Sequence, residues 1–209
     1  MSKGFFITGI GTGVGKTLAS AVICEALNAD YWKPVQCGNL QQRDSILVKN
    51  LLSNPFSKIH PEKYLLKDPL SPHAAAENQG VQIQMNEFEL PETKNRLIVE
   101  GAGGLLVPLN NDREYMWQLA KQFQLPVILV ADFYLGSINH TLLSLHFLKN
   151  NNLHPAAIIW SGEINPQSKK VIENQFSIPS FNIPFLSKTT PETVKTASEA
   201  IIPFLKQIS

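Results

Sequence analysis

The sequence predicts an α/β fold: one domain over residues 1–209, built on a mostly parallel central sheet flanked by helices. Two observations carry that expectation. Short apolar runs alternate with stretches of helical periodicity along most of the chain. The runs themselves lack an every-second-residue polar pattern, as strands buried on both faces do. The length, 209 residues, suits one domain and buries enough surface to fold without disulfides or a structural metal.

Taken in order, Gly4-Phe5-Phe6-Ile7-Thr8 reads as a buried strand that stops at glycines. From Lys16 to Asn28, Leu18, Val22, Ile23, Ala26 and Leu27 recur at helical spacing. Tyr31 to Val35 reads as a second strand, and Asp44 to Leu52 as a helix with Ile46, Leu47, Leu51 and Leu52 on one face. The proline-rich stretch from Asn54 to Gln84 is irregular, a connecting excursion suited to substrate contacts. Leu97-Ile98-Val99, Val127–Val130 and Ala157–Trp160 are strands, with helices near 114–124 and 137–150. A last helix starts after Thr190-Pro191, where threonine caps and proline suits the first turn.

Composition narrows the function. Eighteen basic and seventeen acidic side chains leave a formal charge of +1, with no basic footprint for nucleic acid. The densest apolar run, Leu125 to Ala131, is too short to cross a bilayer, and the N-terminal apolar run is cut by Gly9, Gly11 and Gly13. Cys24 and Cys37 have no metal-ligand spacing and read as reduced thiols. The expectation is a cytoplasmic protein that acts on small molecules, without nucleic acid or membrane.

The strongest chemical signal is Gly9-Ile10-Gly11-Thr12-Gly13-Val14-Gly15-Lys16-Thr17, between a strand and a helix. Glycines let several backbone N–H groups turn toward one anion, and the helix N-terminus adds its positive end. Lys16 would reach the β- and γ-phosphates and the Thr17 hydroxyl a magnesium ion. Five residues separate Gly9 from Gly15, not four, so the loop is a variant of the P-loop. A dinucleotide-binding loop fits less well, since it needs no Lys-Thr and its diagnostic acid is missing.

An ATPase also needs carboxylates at strand ends, where open α/β sheets bind ligands. Glu100 ends Leu97-Ile98-Val99 and precedes Gly101-Ala102-Gly103-Gly104; Asp132 follows Val127–Ala131 in the same way, and pattern does not separate the two. Asp44 opens a helix and is explained equally by capping or by metal binding. Lys33-Pro34 ends the second strand, where a lysine can neutralise a transferring phosphoryl group. Ser71-Pro72-His73 is a helix start whose N–H groups offer a second anion site.

Together these motifs resemble the dethiobiotin synthetase family, from Gly4 to about Phe185. The resemblance rests on Gly9–Thr17, Lys33-Pro34-Val35 with Gly38, Ser71-Pro72-His73, Glu100–Gly104 with Pro108-Leu109, Leu125–Val130 and Leu135–His140. It implies a homodimeric P-loop ligase that uses Mg2+, ATP and CO2 to close 7,8-diaminopelargonate into dethiobiotin. It implies catalytic roles for Lys16, Lys33 and Thr12, and magnesium on Thr17, Asp44 and Glu100. Nucleotide contacts would come from Gly13, Val14, Gly15, Lys16, Thr17, Asp44, Glu100, Gly101, Ala102, Gly103, Ser161, Pro184 and Phe185. Substrate contacts would come from Cys37, Ser71, Pro72 and His73, with Leu135, Gly136 and Asn139 reaching across the dimer. This chain departs from the family in three places. Gly11 and Gly13 stand where acids are common, Cys37 replaces a hydroxyl, and Ser161-Gly162 replaces Asn-Asp at the base-reading position. The alternative in another class is a nucleotide-dependent switch of the partition or septum-placing type, although Ile10-Gly11 lacks that group's extra lysine. An amide-forming ligase acting on another carboxylate uses the same phosphate machinery but leaves Ser71–His73 and Leu135–His140 without a role.

Overall fold

A computed structural model describes residues 4–208. Residues 1–3 and 209 of the expected 1–209 domain lie outside it. Among the described residues nine strands run β1 (Gly4–Gly9), β2 (Asp30–Trp32), β3 (Val35–Cys37), β4 (Ile59–His60), β5 (Tyr64–Leu66), β6 (Leu97–Gly104), β7 (Val127–Asp132), β8 (Pro155–Ser161) and β9 (Ser180–Ile183). Seven helices are interleaved: α1 (Lys16–Leu27), α2 (Asp44–Leu51), α3 (Pro72–Asn78), α4 (Met116–Gln122), α5 (Ser137–Asn150), α6 (Pro166–Gln175) and α7 (Pro191–Ile208). The main sheet has the order β4-β2-β6-β1-β7-β8-β9, and every pairing in it is parallel, as expected.

Successive residues of β1 serve opposite faces of the sheet, the period-2 rule of strands. Phe5 and Ile7 pack with Val22 and Ile23 of α1, Val48 of α2 and Val194, Ile201 and Leu205 of α7. Phe6 faces the other side, with Ala75 of α3, Met116 and Leu119 of α4, and Leu148 of α5. Both phenylalanines are fully buried, so cutting either back to alanine costs about 3–5 kcal/mol. The two faces together make a helix–sheet–helix sandwich, with the chain reversing direction across the sheet beside β1. That reversal opens a crevice at the carboxyl ends of the central strands.

Three regions differ from the sequence expectation. The expected strand from Tyr31 to Val35 breaks at Lys33-Pro34, because proline has no N–H to give the ladder. The Pro34 carbonyl instead accepts Lys63 N–H at 2.9 Å, and β3 pairs with β5 in a separate two-stranded sheet. Glu100 does not end its strand: β6 continues through Gly104, which pairs with Gly9 of β1. A Cβ on Gly104 would stand 3.2 Å from the Gly9 carbonyl oxygen, so glycine permits the close pairing. Finally, α6 and β9 had no expectation. Ile172 is the buried residue of α6, leaving no apolar stripe to read, although Asn165 caps it at 2.9 Å to Ser168 N–H. Residues 190–191 behave as expected, with Thr193 N–H donating to Thr190 Oγ1 at 3.3 Å.

Candidate active site

Three neighbouring strands bring the site together. Ile7 of β1 lies opposite Glu100 of β6, and on the far side of β6, Val99 lies opposite Trp32 of β2. Glu100 therefore sits between the glycine loop that follows β1 and Lys33, the residue after β2. Its carboxylate is fully buried and multiply engaged. Oε1 accepts the Thr17 hydroxyl at 3.1 Å and Lys33 Nζ at 3.3 Å, while Oε2 accepts the Tyr31 hydroxyl at 3.0 Å. Lys33 Nζ also pairs with Asp44 Oδ2 at the start of α2. Leaving such buried charges unpaired would cost several kcal/mol each, so the cluster is mutually dependent.

Electrostatics assign the two lysines different characters. Burial pushes Lys33 down, but the charges of Glu100 and Asp44 outweigh it and hold the ammonium above its ordinary pKa, a fixed cation. Burial dominates for Lys16, and with the Lys33 charge it lowers that pKa despite the pull of Glu100 and Asp44. Lys16 Nζ donates to the Gly11 carbonyl at 2.9 Å, folded over its own loop. Burial, followed by the Glu100 charge, pushes the Tyr31 phenol well above its usual pKa, so it remains a hydrogen-bond donor. Burial also pushes the Cys37 thiol up to about 11, against the opposing Lys33 charge.

Apart from Tyr31, which lies beneath, these groups line one cleft of about 740 Å³, within the size range of small-ligand sites. Thr12, Gly13, Gly15, Lys16 and Thr17 form its glycine-loop wall, with Lys33, Cys37 and Asp44 opposite. Ser71, Pro72, Glu100, Ala102 and Gly103 complete it. Of the other expected residues, Val14 packs into the core and an added Cβ on Gly101 would meet Phe6 and Met116. The His73 side chain lies outside the lining and bonds Ser71 Oγ through Nδ1 at 2.9 Å. Consequently Ser71 sits at the cap position without capping, and the His73 N–H goes to the Pro108 carbonyl at 3.3 Å. The helix start expected to offer free N–H groups is thus partly used internally. Ser161 touches the loop from β8: a Cβ on Gly15 would stand 2.2 Å from its Oγ. Pro184 and Phe185 are exposed just after β9. Leu135, Gly136 and Asn139 line a separate recess with Tyr134 and Asn165.

The structure also separates the two acids that pattern left equivalent. Asp132 lies outside the cleft lining, and its Oδ1 accepts the N–H of Phe133 at 2.6 Å. Two residues went unread in the sequence. Gln36 accepts the Asp44 N–H at 3.3 Å and donates to the Gly38 carbonyl at 3.1 Å, tying β3 to the start of α2. Tyr31 holds the inner oxygen of Glu100. A signal for Tyr31 existed, since residues two apart in a strand share a face and Tyr31 precedes Lys33 by two.

Comparison with known proteins gives likenesses of sequence and of fold. A family model described as an AAA domain matches residues 3–193. The chain is 52% identical over 171 residues to the ATP-dependent dethiobiotin synthetase BioD of Cytophaga hutchinsonii, covering 81% of this chain and 82% of that one. To the enzyme of the same name from Afipia carboxidovorans it is 40% identical over 199 residues, covering 94% of each. Among solved structures it is similar in fold to a putative plasmid partition protein of Borrelia burgdorferi bound to AMPPNP. That match has a TM-score of 0.55 and 15% identity, covering 97% of this chain and 98% of the other. A second is the septum site-determining protein MinD of Pyrococcus horikoshii with Mg-ADP, at a TM-score of 0.54 and 13% identity, covering 98% of each chain. Those two likenesses are of fold, whereas sequence identity over most of both chains decides membership: this chain belongs to the ATP-dependent dethiobiotin synthetase family.

Proposed function

We propose that this protein closes 7,8-diaminopelargonate and CO2 into the cyclic urea dethiobiotin, converting ATP to ADP and phosphate. The observation that carries the reading is one cleft shared by two buried lysines, two carboxylates and the Cys37–Ser71 wall. In the reaction one amine forms a C–N bond with CO2 and loses a proton, giving a carbamate. A carbamate oxygen attacks the γ-phosphorus as the bond to ADP breaks. The second amine then attacks the carbonyl carbon, loses its proton and expels phosphate.

No covalent help is asked of the chain; positioning and charge neutralisation suffice. The N–H groups of Gly13 and Gly15 and the start of α1 cradle the phosphates, and Lys16 swings from Gly11 onto the β- and γ-oxygens. Lys33, permanently charged, faces the transferring phosphoryl and the carbamate, with Thr12 on the opposite wall. Cys37, Ser71 and Pro72 hold the diamine end of the substrate, with His73 acting through Ser71. Ser161, Pro184 and Phe185 border the base. Ser161 offers a hydroxyl where an amide would read two edge groups, so base selectivity is loose.

The donor set suits magnesium. Thr17, Asp44 and Glu100 supply hard oxygens, and among the described residues no three His, Cys, Asp or Glu side chains cluster into a cage that would hold a metal alone. Magnesium ordinarily takes one or two carboxylates and completes its shell with substrate phosphates and water. When bound there, it would neutralise charge on the β- and γ-phosphate oxygens.

Leu135, fully exposed, with Gly136 and Asn139 lies outside the cleft, and Leu106 and Leu143 are exposed nearby in the fold. A homodimer that covers this face would bring the recess to the distant carboxylate of the substrate. The cytoplasm, where ATP and free thiols coexist, is the compartment this reading implies; both cysteines are free, and among the described residues no helix is long and apolar enough to cross a membrane. The test is phosphate release by the purified protein with Mg-ATP and bicarbonate. Release that depends on the diamine, with a product of dethiobiotin mass, is expected. Diamine-independent hydrolysis would reject the reading in favour of a nucleotide switch.

A further inference from the structure

Glu100 is gripped from two sides, and the inner grip comes from outside both the glycine loop and the Lys33-Pro34 element. We propose that Tyr31 is a positioning residue that fixes the Glu100 carboxylate so that Oε1 is presented to the metal and nucleotide. The inference rests on the reading above that Glu100 faces magnesium.

The two oxygens of Glu100 have different surroundings. Oε1 meets groups of the cleft, Thr17 Oγ1 at 3.1 Å and Lys33 Nζ at 3.3 Å. Oε2 points into the protein and accepts the Tyr31 hydroxyl at 3.0 Å. Lys33 and Thr17 are both groups that a bound nucleotide would recruit. Tyr31 is not, because its side chain is fully buried beneath the carboxylate and lines no part of the cleft.

The phenol is itself held rigidly. Tyr31 lies mid-strand in β2, opposite Ile98 of β6 and Ile59 of β4. Its ring belongs to the core cluster that contains Cys24, Val48 and Ile98. A ring in so densely packed a setting has little freedom, and its hydroxyl stands at a fixed distance from the backbone. The hydrogen bond therefore orients the carboxylate plane before ligands arrive and persists when Lys33 and Thr17 change partners. Groups that orient a metal-binding carboxylate from behind typically alter metal affinity by 10–100-fold when removed.

Tyr31→Phe deletes the hydroxyl alone. Mn2+ binding to the protein saturated with ADP, followed by electron paramagnetic resonance, is expected to weaken about tenfold. The Mg2+ concentration for half-maximal turnover should rise by a similar factor, with the KM for the diamine little changed. In a Glu100→Gln background, the same change should have no further effect on Mn2+ binding, since Tyr31 acts through Glu100. Unchanged Mn2+ affinity in Tyr31→Phe, or an equal extra loss in the Glu100→Gln background, overturns the proposal. Mn2+ binding needs no product, so it stands apart from whether dethiobiotin is formed.

A second measurement keeps the variant's folding out of the question. The chain has four tyrosines, and 3-fluorotyrosine can replace them all. The Tyr31 fluorine resonance is assigned by eliminating those of Tyr64→Phe, Tyr115→Phe and Tyr134→Phe. Adding Mg2+ to the ADP-bound protein should shift it, and Glu100→Gln should abolish the shift. A Tyr31 resonance indifferent to Mg2+ overturns the proposal.

Discussion

The Thr17 hydroxyl lies 3.1 Å from Oε1 of Glu100, so the first turn of α1 and the middle of β6 meet at a single carboxylate. The loop motif and the strand acid are 83 positions apart in sequence, yet adjacent parallel strands make them neighbours. Glu100→Gln should therefore raise the Mg2+ requirement for turnover well above that of Asp132→Asn, whose carboxylate lies outside the cleft. Titrating Mg2+ against activity in both variants checks the order. The reverse order would move the metal to β7.

Lys16 reaches the phosphates only after leaving Gly11, and its contact strengthens as charge develops on the γ-oxygens. By analogy with a removed oxyanion donor, Lys16→Ala should lower kcat on the order of 10²–10³-fold. Steady-state phosphate release measures it. The melting temperature should hardly fall, because the substitution also removes a buried charge.

Gly15 has φ 91°, and a Cβ there would stand 2.2 Å from Ser161 Oγ and 2.9 Å from Ser161 Cβ. Gly15→Ala should lose about 1–2 kcal/mol to left-handed strain alone, with the steric clash added. Thermal melts should show a fall of several degrees at this chain length. Adding Ser161→Gly should restore the steric part and leave the backbone part, a non-additive pair.

At the opposite end of β2 from Lys33, Asp30 is buried and serves as a hub. It accepts Asn95 Nδ2 at 2.8 Å, the Lys58 N–H at 2.9 Å, Thr93 Oγ1 at 2.7 Å and His60 Nε2 at 2.8 Å. Burial alone would raise its pKa, but these hydrogen bonds outweigh it and hold the carboxyl below its ordinary value. The folded state therefore binds fewer protons here than the unfolded chain, and stability rises with pH through that window. The contribution is present in full above the unfolded value of about 4 and fades as pH falls through the depressed folded value. Asp30→Asn should cost stability at pH 7, and denaturant melts of the two proteins should converge as pH drops below 4.

Much of the site was readable from local chemistry. Glycines and Lys16-Thr17 between an apolar run and a helical period point to a phosphate loop, and they fold as one. Lys33, Asp44 and Glu100 stand out by residue type and position, and the fold brings them together. Other features need the tertiary fold. Glu100 reads as the end of its strand, but β6 continues through Gly104, where glycine lets it lie close against Gly9. Tyr31 reads as an ordinary strand residue and Gln36 falls just past the expected strand; the importance of both lies in hydrogen bonds to partners distant in sequence or placed by a loop. The polar helix α6 lacks the apolar stripe that periodicity detects. Leu135, Gly136 and Asn139 lie in a recess apart from the cleft, a separation that no local pattern encodes.

The central claim is that a carbamate oxygen attacks the γ-phosphorus in the Lys16–Lys33–Glu100 cleft. Supplying CO2 labelled with ¹⁸O in both oxygens, together with Mg-ATP and the diamine, tests it directly when the products are weighed by mass spectrometry before hydration exchanges the label. One ¹⁸O in each released phosphate and one in the urea carbonyl of dethiobiotin is the expected result. Phosphate without label, formed at the same rate as dethiobiotin, would contradict carbamate attack on phosphorus.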